Sequence, residues 1–222
     1  MSNPICDEAG RVIHANVRIG PEAVIGPFVV LGEPPRGARP GEIETVIGAG
    51  AIVRSHTVIY AGNVIGDGFQ TGHGALVREY NTIGDDVSVG STAVVEHHVM
   101  IGAGVRIHSG AFVPEETVLE AGAWIGPGAV LTNARYPRSR GVKDRLVGPR
   151  VRRGAKIGAG AVVLPAVELG EDCLIGAGAV VVSDVPPRAV AVGNPARIVR
   201  TIDEIPDPDG LLGPLYGAAE DA

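Results

Sequence analysis

A strict six-residue period constrains this chain more than any other feature. Stepping by six from Ile47 gives Val53, Ile59, Ile65, Thr71, Val77, Ile83, Val89, Val95, Ile101, Ile107, Val113, Leu119, Ile125 and Leu131, and only Thr71 is not aliphatic. The register returns at Val151, Ile157, Val163, Leu169, Ile175 and Val181, and a shorter run precedes it at Ile13, Ile19, Ile25 and Leu31. The fifth residue of each hexad is mostly small or β-branched, as at Ala51, Thr57, Ala75, Val87, Ala93, Val99, Val105, Ala111, Thr117, Ala123 and Ala129. Gly often follows the aliphatic position. A helix cannot satisfy a period of six, and a flat sheet has no use for glycine that often. Short strands separated by tight corners satisfy both. Three hexads closing one coil, with coils stacked, bury a continuous aliphatic column.

Composition agrees with a narrow, regular core: hydrophobic residues make up 45%, aromatics only 4%, and Gly numbers 33. That hydrophobic content excludes disorder over most of the length. The net charge of −6 argues against a nucleic-acid surface, which needs a dominant positive field. The opening MSNPICDEAG lacks the basic-then-apolar layout of a secretory signal, and no apolar run reaches membrane-spanning length. Cys6 and Cys173 lie far apart, and Cys173 falls on a small inward position. The expectation is a cytoplasmic, reduced protein with neither membrane nor nucleic acid as partner.

Two Pro-, Gly- and charge-rich stretches break the period, residues 32–46 and 132–150, and read as loops within a domain spanning 1–200. Residues 201–222 read as an acidic tail with room for a short helix.

Stacked coils of eighteen residues set position n beside n+18, with rungs about 4.8 Å apart. His97, in the run TAVVEHHVMIG, then falls at an outward corner between Glu79 and Glu115, with Asn133 two coils on. A carboxylate bonded to one ring nitrogen fixes the tautomer and raises the basicity of the other. Beside this corner the second loop brings Arg135, Arg138, Arg140, Lys143, Arg145 and Arg150, with Arg152 and Arg153 just beyond and Asp144 as the lone acid. Such a cluster suits a phosphate-bearing ligand. His73 shares another corner column with Ser91 and Ser109, and reads equally as a substrate contact or as a corner hydrogen bond. His98 is expected to point to solvent, and His14 and His56 to carry no chemistry. His73 and His108 stand two rungs apart, about 10 Å, too far to share a metal within one chain.

With these residues in hand, the chain resembles the hexapeptide-repeat acyltransferases, an all-β left-handed parallel β-helix family, and within it the N-acetyltransferases of nucleotide-linked amino sugars. The stretches TGHGALVRE (71–79), IGDDVSVGSTAVVE (83–96) and IGPGAVLTNARYP (125–137) carry the narrower likeness. DVPPRAVAVGNPARIVR (184–200) carries the wider one. The left hand comes from the resemblance, since the general preference for parallel crossovers would have given the right hand. The resemblance implies acetyl-CoA as co-substrate, a homotrimer with sites between neighbouring prisms, and His97 as the base, oriented by Glu79 or Glu115. His73, Arg78, Asn133 and Arg138 are then the candidate contacts to the sugar and its diphosphate, and the resemblance implies Ala159, Ala177, Arg197 and Arg200 as lining for coenzyme A. O-acetylation of a small sugar or xenobiotic is the alternative. A zinc protein like the γ-type carbonic anhydrases is a further one, but Arg78 stands where that family places a second histidine after the His73 site, and no metal is expected.

Overall fold

The computed structural model describes the backbone of residues 5–206, and over this length the chain winds as a left-handed parallel β-helix. Strands of mostly two residues line three faces of a prism. The A face carries Leu76–Val77, Val94–Val95, Phe112–Val113 and Val130–Leu131. The B face carries Thr82–Ile83, Met100–Ile101 and Val118–Leu119, and the C face carries Ser88–Val89, Arg106–Ile107 and Trp124–Ile125. Pairing follows the eighteen-residue offset: Val77 with Val95, Val95 with Val113, and Ile83 with Ile101. Backbone hydrogen bonds run along the stack, as from the Gly102 N–H to the Leu119 carbonyl at 2.7 Å.

The aliphatic column is the core. Ile59, Val77, Val95, Val113, Leu131 and Val163 are fully buried, and the small fifth-position residues fill the corners between them. Thr71, the exception to the aliphatic rule, is buried with its hydroxyl satisfied: it accepts from the Arg54 N–H at 2.9 Å and bonds the Thr57 hydroxyl at 3.0 Å. The glycine after the aliphatic residue has a steric cause. A Cβ on Gly102 would stand 2.6 Å from the Ala121 nitrogen of the next coil, so only glycine lets the corners stack.

Both interruptions leave from the corner between the A and B faces. The first runs from the strand Val30–Glu33 to the strand Thr45–Ile47, and the second from Val130–Leu131 to Arg150–Val151 with one 3-10 turn, Val142–Arg145. The column is undisturbed by the longer excursion, since Leu131 still pairs with Val163. The stack ends in a feature that the six-residue period does not contain, an antiparallel hairpin of Ala189–Gly193 with Ala196–Thr201 docked on the C face. A 3-10 turn, Ile202–Glu204, follows. The rest of the predicted acidic tail, from 207 on, lies outside the described residues. Among the described residues no helix is long and apolar enough to cross a membrane.

Outward positions differ by face. On the A face they are apolar throughout: Val58, Leu76, Val94, Phe112, Val130, Val162 and Val180. On the C face polar and charged residues interleave, with Gln70, Ser88, Arg106 and Lys156 among them.

Candidate active site

The A/B corner is built from four stacked turns, residues 78–81, 96–99, 114–117 and the base of the second loop. Buried asparagines hold it in register. The side-chain amide of Asn63 donates to the Tyr60 and Arg78 carbonyls, and its oxygen accepts from the Asn81 N–H at 3.1 Å. One coil on, Asn81 repeats the device and accepts from the Val99 N–H at 2.7 Å. The turn that carries His97 and His98 is therefore fixed on its inner side by hydrogen bonds that aliphatic residues could not make. The six-residue pattern marks these two positions only as departures from the small fifth residue.

On this frame His97 Nε2 lies 2.8 Å from Glu115 Oε2, as the column predicts, and the Asn133 side chain reaches the Glu115 carbonyl at 3.3 Å. The expected clasp from below is different. Glu79 is buried and turned to Arg78, whose Nε and Nη2 donate to its two oxygens at 2.8 and 2.9 Å. A bidentate guanidinium partner beside it in the chain outcompetes a single imidazole contact one rung away. Arg78 is also held by Glu96 at 3.3 Å and lies over the Tyr60 ring, 5.1 Å from its centroid. Predicted as a substrate contact, it spends its donors within the corner. Burial, the strongest single influence on the Glu79 carboxyl, pushes it up. The Arg78 hydrogen bond, the backbone and the nearby positive charges outweigh burial and hold it below the ordinary carboxylate value.

The second ring nitrogen of His97 is occupied as well. Nδ1 lies 2.8 Å from Nδ1 of His98, the rings meeting edge to face at 5.0 Å. His98 has a left-handed backbone with φ 56°, rests on the Tyr80 ring one coil below at 5.3 Å, and is exposed. It faces solvent as expected, yet it is wired to His97, which the column argument did not foresee because it compares coils and not neighbours within one turn.

The basic loop divides. Arg135, Arg138, Arg140, Lys143 and Arg145 stay on the excursion above the His97 corner, with Arg138 exposed. Arg152 and Arg153 do not. The coil carries them to the B/C corner, where Arg152 donates to Glu120 at 2.7 Å and to Glu168 at 2.9 Å, and Arg153 meets Glu171 at 3.4 Å. Their nearness to the loop in sequence does not hold in space, because two residues past Arg150 the chain has crossed the B face. These charges line a cleft of about 480 Å³ with Asp184, Pro186 and Pro187, and the hydrogen bonds that Arg152 donates to Glu168 and to Glu120 hold its guanidinium firmly protonated.

His73, Ala159 and Ala177 occupy the C/A corner, across the A face from His97. Nδ1 of His73 lies 2.8 Å from the Ser55 hydroxyl, and its backbone N–H donates to Ser91 at 3.0 Å. Arg197 and Arg200 are exposed on the terminal hairpin. Within one chain these residues do not meet the His97 corner. His108 stacks on Trp124 at 4.1 Å. Among the described residues no group of three or more His, Cys, Asp or Glu side chains could hold a metal ion. Cys173 is buried, and burial pushes its thiol up to about 12, so it is inert packing.

The six-residue repeat and the stacked three-faced coils are those of a left-handed parallel β-helix. Residues 82–115 and 148–183 match the profile of the bacterial transferase hexapeptide (six repeats). Over 47 residues the chain is 55% identical to a protein of Schizosaccharomyces pombe assigned to the acetyltransferases, covering 21% of this chain and 23% of that one. Over 55 residues it is 51% identical to the serine acetyltransferase of Escherichia coli, covering 25% and 20%. The matched stretch thus spans less than a quarter of either relative. Among solved structures it is similar to the UDP-N-acetylglucosamine acyltransferase of Francisella novicida (TM-score 0.70, 19% identity, 86% of this chain and 67% of that one). The likeness to the same kind of enzyme from Bacteroides fragilis has a TM-score of 0.67 at 18% identity, over 85% and 72%. At these identities the likeness is one of fold.

Proposed function

We propose that this protein transfers an acetyl group from acetyl-CoA to the amine of a nucleotide-linked amino sugar. The observation that carries the reading is the hydrogen bond between His97 and Glu115 at the A/B corner, flanked on either side by the two loops. Acyl transfer to an amine requires a group that takes up the proton released on attack. An imidazole backed by a carboxylate does this near neutral pH. Arg138 and the other loop cations are placed to hold a diphosphate, and Asn133 stands one rung from Glu115 to orient the sugar.

Coenzyme A would lie against the C/A corner of the last coils. Gly158–Ala159–Gly160 and Gly176–Ala177–Gly178 present minimal side chains there, and a Cβ on Gly160 or Gly178 would meet nothing within 4 Å. Arg197 and Arg200 would take its phosphates. Because His97 and these residues lie on opposite corners, a site containing both needs a second copy of the chain. The uniformly apolar outer A face between the two corners supports self-association, and we take the assembly to be a homotrimer working in the cytoplasm. Acetyl transfer to a hydroxyl is a second reading, favoured by the stretch shared with a serine acetyltransferase.

The test is thiol release from acetyl-CoA with a panel of thymidine- and uridine-linked amino sugars and their hydroxyl counterparts. An amino sugar is expected to turn over, and His97→Ala to lower kcat by about 10²–10⁴-fold. Turnover of hydroxyl acceptors alone sinks the amine reading. A loss of only a few-fold in His97→Ala removes the histidine from the chemistry.

A further inference from the structure

The two ring nitrogens of His97 are both engaged, and this determines where the corner can accept a proton. Glu115 accepts from Nε2, so that nitrogen carries the hydrogen. In a neutral imidazole the other nitrogen, Nδ1, is then a bare acceptor. It lies 2.8 Å from His98 Nδ1, and two nitrogens at that distance share one hydrogen, which must come from His98. His98 is thereby fixed as the Nδ1–H tautomer. Its Nε2 is left with a free lone pair, on an exposed ring that rests on Tyr80.

From this geometry we infer that His98 Nε2 is the proton acceptor of the site and that His97 is a positioning residue between it and Glu115. The inference rests on the acyl-transfer reading and refines it. In the forward step the amine nitrogen forms a bond to the thioester carbonyl carbon, and its proton passes to His98 Nε2. The C–S bond breaks with its electron pair on sulfur, and the thiolate takes the proton back from His98. The imidazolium formed in between donates through Nδ1 to His97, whose Nε2–H is anchored on the Glu115 carboxylate, so the charge is met by an aligned chain of acceptors. The charged and titratable groups around His98 are His97 and Glu96 in its own turn, Arg78, Glu79 and Tyr80 one coil below, and Glu115 and Glu116 one coil above; Arg78 serves both Glu79 and Glu96, which leaves one carboxylate charge over. His98 is also the more accessible of the two histidines, since it is exposed while His97 has only 28% of its side chain exposed.

The variant that tests this is His98→Asn, because asparagine tolerates the left-handed backbone of that position and leaves the turn intact. With acetyl-CoA and the acceptor returned by the panel, His98→Asn is expected to lose about 10²–10⁴-fold in kcat and the acidic limb of its pH profile. His97→Ala is expected to keep an acidic limb, because the proton acceptor is still in place. If His98→Asn stays within a few-fold of wild type while His97→Ala is inactive, His97 itself is the base and the inference fails. A readout independent of turnover is heteronuclear NMR of histidine-labelled protein at neutral pH. His98 is expected as the Nδ1–H tautomer in wild type, and to lose that bias in His97→Ala. The ordinary Nε2–H form in wild type overturns the inference, even where no acceptor has been found. Absence of turnover in wild type with the predicted tautomer present overturns the acyl-transfer reading and with it the catalytic role, while the wiring of the corner stands.

Discussion

The A/B and B/C corners of the prism are assembled by the same rule and end in opposite states. At each, stacked coils bring charged side chains from neighbouring rungs together. At the B/C corner Arg152 sits between Glu120 and Glu168, with both ends of its guanidinium satisfied at 2.7 and 2.9 Å. At the A/B corner imidazoles stand in that place instead, and the chain of hydrogen bonds runs from Glu115 through His97 to His98, whose outer nitrogen has no partner among the described residues. A saturated ladder ties coils together. An unsaturated ladder ties them together and leaves a lone pair aimed outward. The residue types decide which is formed, because a guanidinium only donates while an imidazole both donates and accepts.

The largest effect expected from breaking this contrast lies in Glu115→Gln. The amide oxygen can still accept from His97 Nε2–H, so the turn keeps its geometry, but the negative charge that favours an imidazolium is gone. Loss of such a carboxylate behind a histidine is expected to lower kcat about 10- to 100-fold with little change in thermal stability. Activity within twofold of wild type would mean that the carboxylate only orients the ring.

The mirror experiment is Arg152→Met at the saturated corner. It leaves Glu120 and Glu168 two rungs apart with their charges uncompensated, while the methionine keeps part of the packing. Each of the three side chains is about a third or more exposed, so solvent screens the loss and only a small drop in melting temperature is expected. Turnover is expected to be unchanged within twofold. A large loss of activity would place the B/C cleft in the catalytic apparatus and erase the distinction between the two corners.

Much of this was legible before any coordinates. The aliphatic column from Ile47 to Val181, the glycine corners, the two excursions and the approach of Glu115 to His97 all follow from counting by six and by eighteen. What escaped has a common cause: counting by coil says nothing about contacts within a turn or about competition between partners. Arg78 is next to Glu79 in the chain, so it captured the carboxylate assigned to His97. His98 is next to His97, so the pair formed where only one residue was expected to act. Arg152 and Arg153 were read by proximity in sequence to a basic loop, when the corner they reach is set by the strand between. The terminal hairpin lies where the period has ended, and its antiparallel pairing carries no six-residue trace.

Glu79→Gln gives the smallest expected effect and tests whether the Arg78 pair is scaffolding. In the wild type the Glu79 carboxyl is held below its ordinary value because the Arg78 hydrogen bonds, the backbone and neighbouring positive charge prevail over burial, which by itself raises it. A carboxylate depressed on folding stabilises the protein at pH above its unfolded value, about 4.3, and that contribution disappears as pH falls through the folded value. Chemical denaturation followed from neutral pH downward is therefore expected to show Glu79→Gln less stable than wild type by under about 1 kcal/mol at neutral pH. The two curves should converge as the pH falls through the folded value. Arg78 retains Glu96 in the variant, and the glutamine oxygen still accepts one hydrogen bond, which is why the deficit is small. Turnover should hardly change if Glu79 only braces the corner. A loss in kcat as large as that of Glu115→Gln, with stability intact, would return Glu79 to the histidine pair and make the A/B corner a two-carboxylate site after all.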